Sequence, residues 1–243
     1  MNQTRKSLRR ITALLAAACV CLTLAGCADA AFGEYTLDGG ALVQVWGSET
    51  GLRRLTVTEA DGEKTSFSLR NASIEPDAAG GLELIDLNFD GHDDVRIKMQ
   101  RYTSGDIRYA CFLWADGTLV RNTTIDNIRS LSVHPENETL TAWANYHSTA
   151  DDWESRAYLT YVWYNGLPVP VAKTELIHYV EDEIYCLATY AADHGRSLEV
   201  VDENWIFPDA LDEEKIWAEA VAAQDAIQQP ARQEKYQANE EEN

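Results

Sequence analysis

Between Leu84 and Met99 the chain reads LIDLNFDGHDDVRIKM. Asp86, Asn88 and Asp90 alternate, and Gly91, His92, Asp93 and Asp94 follow. A hard divalent cation such as Ca²⁺ takes about six to eight oxygens, mostly from carboxylates and carbonyls. A loop that supplies them must bend around a sphere. Side chains at alternate positions then point inward, and a glycine permits the sharp turn. Numbered from Asp86, the ligands are Asp86, Asn88 and Asp90 at positions one, three and five. His92 at seven contributes its backbone carbonyl, and Asp94 at nine binds directly or through water. Several carboxylates this close repel one another without a cation. The other reading is a bare hairpin turn or a cluster of Asx-turns. Asp93, at position eight, is expected to face solvent.

The pattern departs from a helical Ca²⁺ hand at its far end. Position twelve, where a hand has a bidentate Glu, is Ile97, inside a run that reads as a strand. The motif Asp-x-Asn-x-Asp-Gly-x-x-Asp between two strands is similar to the calcium loops of integrin-type propeller blades, with Asp94 taking the place of the missing Glu. Extracellular Ca²⁺ modules bind with dissociation constants of about 10⁻⁴ to 10⁻³ M. An ion held at that level is structural, and it pins a hairpin.

The elements that must position this loop are mostly strands. Val/Thr/Leu-rich runs at Ala41–Trp46 and Leu52–Thr58 lead through Asp61-Gly62 into Lys64–Leu69. Leu82–Asp86 and Val95–Gln100 flank the acidic loop. Tyr109–Trp114 and Leu119–Asn122 are joined by Asp116-Gly117, and Leu131–His134 and Thr139–Tyr146 by Pro-Glu-Asn-Glu. Ala157–Tyr164 turns at Asn165-Gly166 into Pro168–Thr174. Glu175–Ala192 fits strand or helix equally. Ser197–Val201 and Trp205–Phe207 read as extended. Asp209–Ile227 has helical periodicity, with Asp212 as N-cap and Ile216, Ala220, Ala223 and Ile227 on one face, widened by Trp217 and Val221. The expected fold is mainly β, an antiparallel, propeller-like or sandwich-like array of hairpins with one C-terminal helix.

The N-terminus is an export signal. Arg5, Lys6, Arg9 and Arg10 precede a short apolar run, Ile11–Leu24, that is too brief for a spanning helix. The following Leu-Ala-Gly-Cys is similar to the lipobox of bacterial lipoproteins, which implies lipidation of Cys27 and an extracytoplasmic location in the cell envelope. The expected organisation is a signal at 1–26, a lipidated tether at 27–34 and a β-rich calcium-binding domain at 35–208. The helix at 209–227 and a disordered acidic tail at 228–243 complete it. The whole chain carries a net charge of −20; loss of the leader, which is basic only, takes it to about −24. Such a surface repels nucleic acid and attracts basic proteins. Of the cysteines beyond Cys27, Cys111 and Cys186 either pair or remain free buried thiols.

Other chemistry is sparse, and no catalytic residue is assigned. His134, His147, His178 and His194 stand apart from one another and from cysteine at metal-ligand spacings. Hydrolase, nucleotide-binding and metalloprotease signatures do not occur. Many carboxylate pairs exist, but nothing selects one for hydrolysis. Trp143, Trp153 and Trp163 with Tyr146 and Tyr164 form either a carbohydrate platform or ordinary core and cross-strand aromatics.

The segments LELIDLNFDGHDDVRIKMQ, RYACFLWADGTLV, LSVHPENETLTAWANY and YLTYVWYNGLPVPVAKTEL occur in that order over about residues 82–176. In this order they resemble the propeller-like, single-calcium-loop proteins of bacterial envelopes that inhibit lysozyme-like enzymes or act as immunity lipoproteins. The resemblance implies Asp86, Asn88, Asp90, His92 and Asp94 as the calcium site. It also implies a binding module, not an enzyme, whose partner is a basic lytic enzyme. Two alternatives are carried forward: a cell-surface adhesin or carbohydrate-binding lipoprotein, and a hydrolase using a carboxylate pair.

Overall fold

The computed structural model describes residues 30–48, 51–69, 81–148, 152–192 and 197–224. The leader, Cys27 and the tail beyond 224 lie outside them. Among the described residues, fourteen strands form three antiparallel sheets in which sequence neighbours are spatial neighbours. The first sheet contains β1 (Ala30–Thr36), β2 (Leu42–Ser48), β3 (Gly51–Thr58) and β4 (Lys64–Ser68). The second contains β5 (Leu82–Ile85), β6 (Asp94–Arg101), β7 (Ile107–Ala115) and β8 (Thr118–Arg121). The third contains β9 (Leu131–His134), β10 (Thr139–Ser148), β11 (Trp153–Tyr164), β12 (Leu167–Tyr179), β13 (Ile184–Ala191) and β14 (Glu199–Ile206), running β9 to β14 across the sheet. A short helix, α1 (Thr123–Asp126), joins β8 to β9, and α2 spans 213–224. The expected mainly-β array of hairpins with a C-terminal helix is the fold observed.

The layers stack, and a core cluster fills each gap. Val43, Val45, Leu55 and Val57 of the first sheet meet Val95, Ile97, Ala110 and Phe112 of the second. The other face of the second sheet sends Tyr109 and Cys111 against Leu131, Leu140 and Ala142 of the third. The far face of the third sheet packs Tyr158 and Leu176 on Trp217 and Ala220 of α2. The second sheet is therefore covered on both faces. β7 accordingly reads as a nearly unbroken apolar run, Tyr109–Ala115, whereas β6 alternates, with Val95, Ile97 and Met99 against Arg96, Lys98 and Gln100. Arg96 lies within this sheet and keeps its charge satisfied. It pairs with Glu83, donates from Nη1 to the carbonyl of Leu131 at 2.8 Å, and lies 4.6 Å over the ring of Tyr109.

Three turns follow their sequence signals. Asp116-Gly117 and Asn165-Gly166 both carry positive φ at two successive residues, as a tight hairpin with matching twist requires. Asp61-Gly62 connects β3 to β4 as expected.

Two expectations need correction, at the tether and on the helix face, and two further readings are decided. The chain is already strand at Ala30, inside the stretch read as a tether. Phe32 and Tyr35 pack against the first core, so this segment has apolar contacts that a tether lacks. Of the two readings open for Glu175–Ala192, strand is the one found: the end of β12, a turn, and β13. The extended reading of Ser197–Val201 and Trp205–Phe207 holds in the main: both stretches run into one strand, β14, Glu199–Ile206. On α2 it is Gln224, not Ala223, that turns inward: Gln224 is buried, bonds Thr160, and donates to the carbonyl of Tyr158 at 3.1 Å. Asp212 does cap α2, accepting from the amide of Lys215 at 3.0 Å. Cys111 and Cys186 are free, buried thiols, one in the second sheet and one in the third.

Candidate functional site

The acidic loop is the connection from β5 to β6, residues 86–93. It closes on its own side chains. Asp86 accepts from the amides of Asp90 at 3.2 Å and Gly91 at 2.9 Å. Asn88 Oδ1 accepts from the amide of Asp90 at 3.2 Å, and its amide donates to Asp90 Oδ2 at 2.8 Å. Asp90 Oδ1 accepts from the amide of His92 at 2.9 Å. Gly91 has φ +91, and a Cβ there would meet nothing within 4 Å. The glycine is needed for backbone conformation, not for space. Phe89, at φ 61, packs beside the second core and anchors the apolar side of the turn.

Asp94 plays a different part from the others. It is fully buried, and its two oxygens accept backbone N–H groups from two strand ends, Leu87 at 2.8 Å and Trp114 at 2.7 Å. Burial lifts its carboxyl to about 7, against the two amide hydrogen bonds, which favour the ionised form. Asp90 and Asp86 nearby raise it further. Asp93 is exposed, as expected.

The fit to a cation rests on this donor set. Asp86, Asn88 and Asp90 place oxygens in one tight turn, bonded to its own amides, but the loop's carboxylates do not gather within 4.8 Å of one another as those of Glu59, Asp61 and Glu63 do. Each of these oxygens has a lone pair beyond the one its amide uses. Asp94 gives one lone pair of each oxygen to the backbone and differs from the others in being fully buried, so it lies beneath the loop. Trp163 of β11 donates its indole N–H to the carbonyl of Leu87 at 2.7 Å, tying the loop to the third sheet.

Another acidic group lies on the first sheet. Among the described residues, Glu59, Asp61 and Glu63 bring carboxylate oxygens within 4.8 Å of one another at the β3–β4 turn. Asp61 accepts from the amide of Glu63 at 2.9 Å, so turn chemistry accounts for its presence.

The other feature is a cleft of about 720 Å³ beside β10. Strand β9 pairs with β10 only as far as Ala142, so Trp143–Ser148 has an open edge. The β6–β7 turn approaches that edge, where Asp106 accepts from the side-chain amide of Asn145 at 2.9 Å and from the Ser104 hydroxyl at 2.9 Å. Arg129 and Arg156 stand on the cleft walls. Arg129 lies 4.5 Å over Tyr102, and Arg156 lies 4.3 Å over Trp143 and 5.5 Å over Trp217. His178 stacks on Tyr185 at 4.4 Å and faces Glu154 at 3.3 Å.

The sequence reading missed this cleft. Its residues come from β10, β11, β12, β13, the β6–β7 turn and α2, and no local spacing announces their convergence. The scattered histidines divide. His147 and His178 line the cleft, His134 bonds Thr141 at 2.8 Å, and His194 lies outside the described residues. The proposed aromatic platform does not assemble. Trp143 belongs to the α2 face of the third sheet, whereas Trp163 packs in the opposite core, because the residues leave the sheet on different sides.

No family model matches the chain, and no curated protein matches it. Among solved structures it is similar to one titled "Structure of a Xanthomonas Type IV Secretion System related protein", with a TM-score of 0.48 and 16% identity. The match covers 72% of this chain and 97% of that one. A likeness this distant carries no functional argument.

Proposed function

We propose that the chain is a calcium-stabilised lipoprotein of the bacterial cell envelope, anchored through Cys27, that binds a basic protein and is not an enzyme. The partner class implied by the sequence resemblance is a lysozyme-like enzyme, which the chain would inhibit or confer immunity against. Asp86, Asn88, Asp90 and the carbonyl of His92 would hold Ca²⁺, with Asp94 beneath them. The ion supplies the charge that offsets carboxylate repulsion and fixes the β5–β6 connection.

The observation that carries the partner reading is β14. All but the last residue of this strand are exposed, and it pairs with β13 on one side only. It carries Glu199, Asp202 and Glu203, and near its end stands Trp205 at 53% exposure, followed closely by Phe207 at 65%. Exposed aromatics set among like charges are the composition of a binding surface, and acidic charge steers a basic partner. The test is a pull-down and inhibition assay with lysozymes at low and high salt. Binding at low salt that weakens with salt, and that falls at least tenfold in Trp205→Ala, supports the reading. No binding at low salt removes it.

A further inference from the structure

We infer that the cleft beside β10 is a binding site for a carboxylate-bearing sugar, held at Arg156. This site is separate from β14 and does not rest on the protein partner proposed above.

Arg156 is exposed, and among the described residues no carboxylate forms an ion pair with it. Its contacts are the faces of Trp143 and Trp217. A guanidinium lodged against two aromatic rings set at 78° to each other makes cation–π contacts there and leaves its N–H groups for another partner. Its donor edge is then free. That edge matches a carboxylate in a bidentate fork.

The rest of the cleft selects the body that carries the carboxylate. Arg129 is stacked on Tyr102 in the same manner, and its nearest carboxylate, Asp106, is 3.9 Å away. The chain carries a net charge of −20, yet two arginines and two histidines gather here. Glu154 and Glu213 also line the cleft. They disfavour a doubly charged phosphate and accept hydrogen bonds from hydroxyl groups. Tyr146, exposed, offers a ring for stacking on a sugar, and Asn145, whose NH₂ group already donates to Asp106, offers its amide oxygen. The volume of about 720 Å³ lies within the usual range for small-molecule sites.

Calorimetric titration of the purified chain with glucuronate, glucose, acetate and glutamate tests this. Glucuronate is expected to bind saturably, with glucose and acetate each at least tenfold weaker. Arg156→Gln is expected to lose at least tenfold in affinity. Arg156→Lys keeps the charge and loses the planar fork, and is expected to lose several-fold. Arg54→Gln removes a guanidinium stacked on Trp46 in the first sheet and leaves binding unchanged. A galacturonate trimer that binds more tightly than the monomer points to a glycan chain, and weaker binding points to a free sugar. No saturable glucuronate binding, or equal binding by Arg156→Gln, overturns the proposal. So does acetate or glutamate binding as tightly as glucuronate.

Discussion

The indole N–H of Trp163 donates to the carbonyl of Leu87 at 2.7 Å, across 76 residues of chain. Leu87 is fully buried at the start of the acidic loop, and Trp163 belongs to the sheet on the other side of the second core. The loop is thus positioned by a distant strand as well as by its own turn. Trp163→Phe keeps most of the ring and removes the donor, leaving a buried carbonyl unpaired. It should cost about 1–3 kcal/mol in urea denaturation. In a titration it should also weaken the response of the loop to Ca²⁺.

Asp94 and Asp93 are neighbours with opposite consequences. Asp94→Asn replaces one acceptor oxygen by an NH₂ group that must face a backbone N–H, from Leu87 or Trp114. It should destabilise the fold by about 1–3 kcal/mol. Asp93→Asn, on an exposed side chain, should change the urea midpoint little.

The loop and most strands were legible in the sequence for local reasons. Asn165-Gly166 and Asp116-Gly117 dictate their own turns through positive φ, and Asp86 to Gly91 folds back on its own amides. Glu175–Ala192 was ambiguous because its residues meet cover on both faces, which erases the two-residue period. The strand at Ala30 was hidden because a stretch this short and rich in small residues carries little apolar signal. The stacking order, the Trp163–Leu87 bond and the cleft were not legible. Each depends on partners tens of residues apart that only the packed layers bring together.

Trp217 couples α2 to the third sheet. It is buried and sits 5.0 Å from Trp143 at 78°, an edge-to-face contact. Trp217→Ala should cost about 3–5 kcal/mol and should release α2 first. Faster amide exchange over 213–224 than in β6 and β7 would check it.

Tyr161 and Tyr190 should titrate late. Burial pushes each up to about 12, with Tyr146 adding for Tyr161 and the Glu175 carboxylate for Tyr190. Tyr190 donates its hydroxyl to Glu175 at 3.2 Å, a bond that ionisation would break. A phenol whose folded pKa is raised contributes stability that is full below its unfolded value near 10. That contribution is lost as the pH rises towards 12. Stability should therefore hold to about pH 10 and fall above it, read by chemical denaturation at stepped pH. Tyr161→Phe should flatten part of that fall.

The calcium clasp is tested most directly by thermal melting of the purified chain across a Ca²⁺ titration, against chelator, for wild type and Asp90→Ala. A ligand that binds only the folded state raises stability with its concentration. The wild type should gain melting temperature through the range of about 10⁻⁴ to 10⁻³ M and lose the gain in chelator, while Asp90→Ala should show no response. A wild-type melting temperature that is the same in millimolar Ca²⁺ and in chelator would contradict the account.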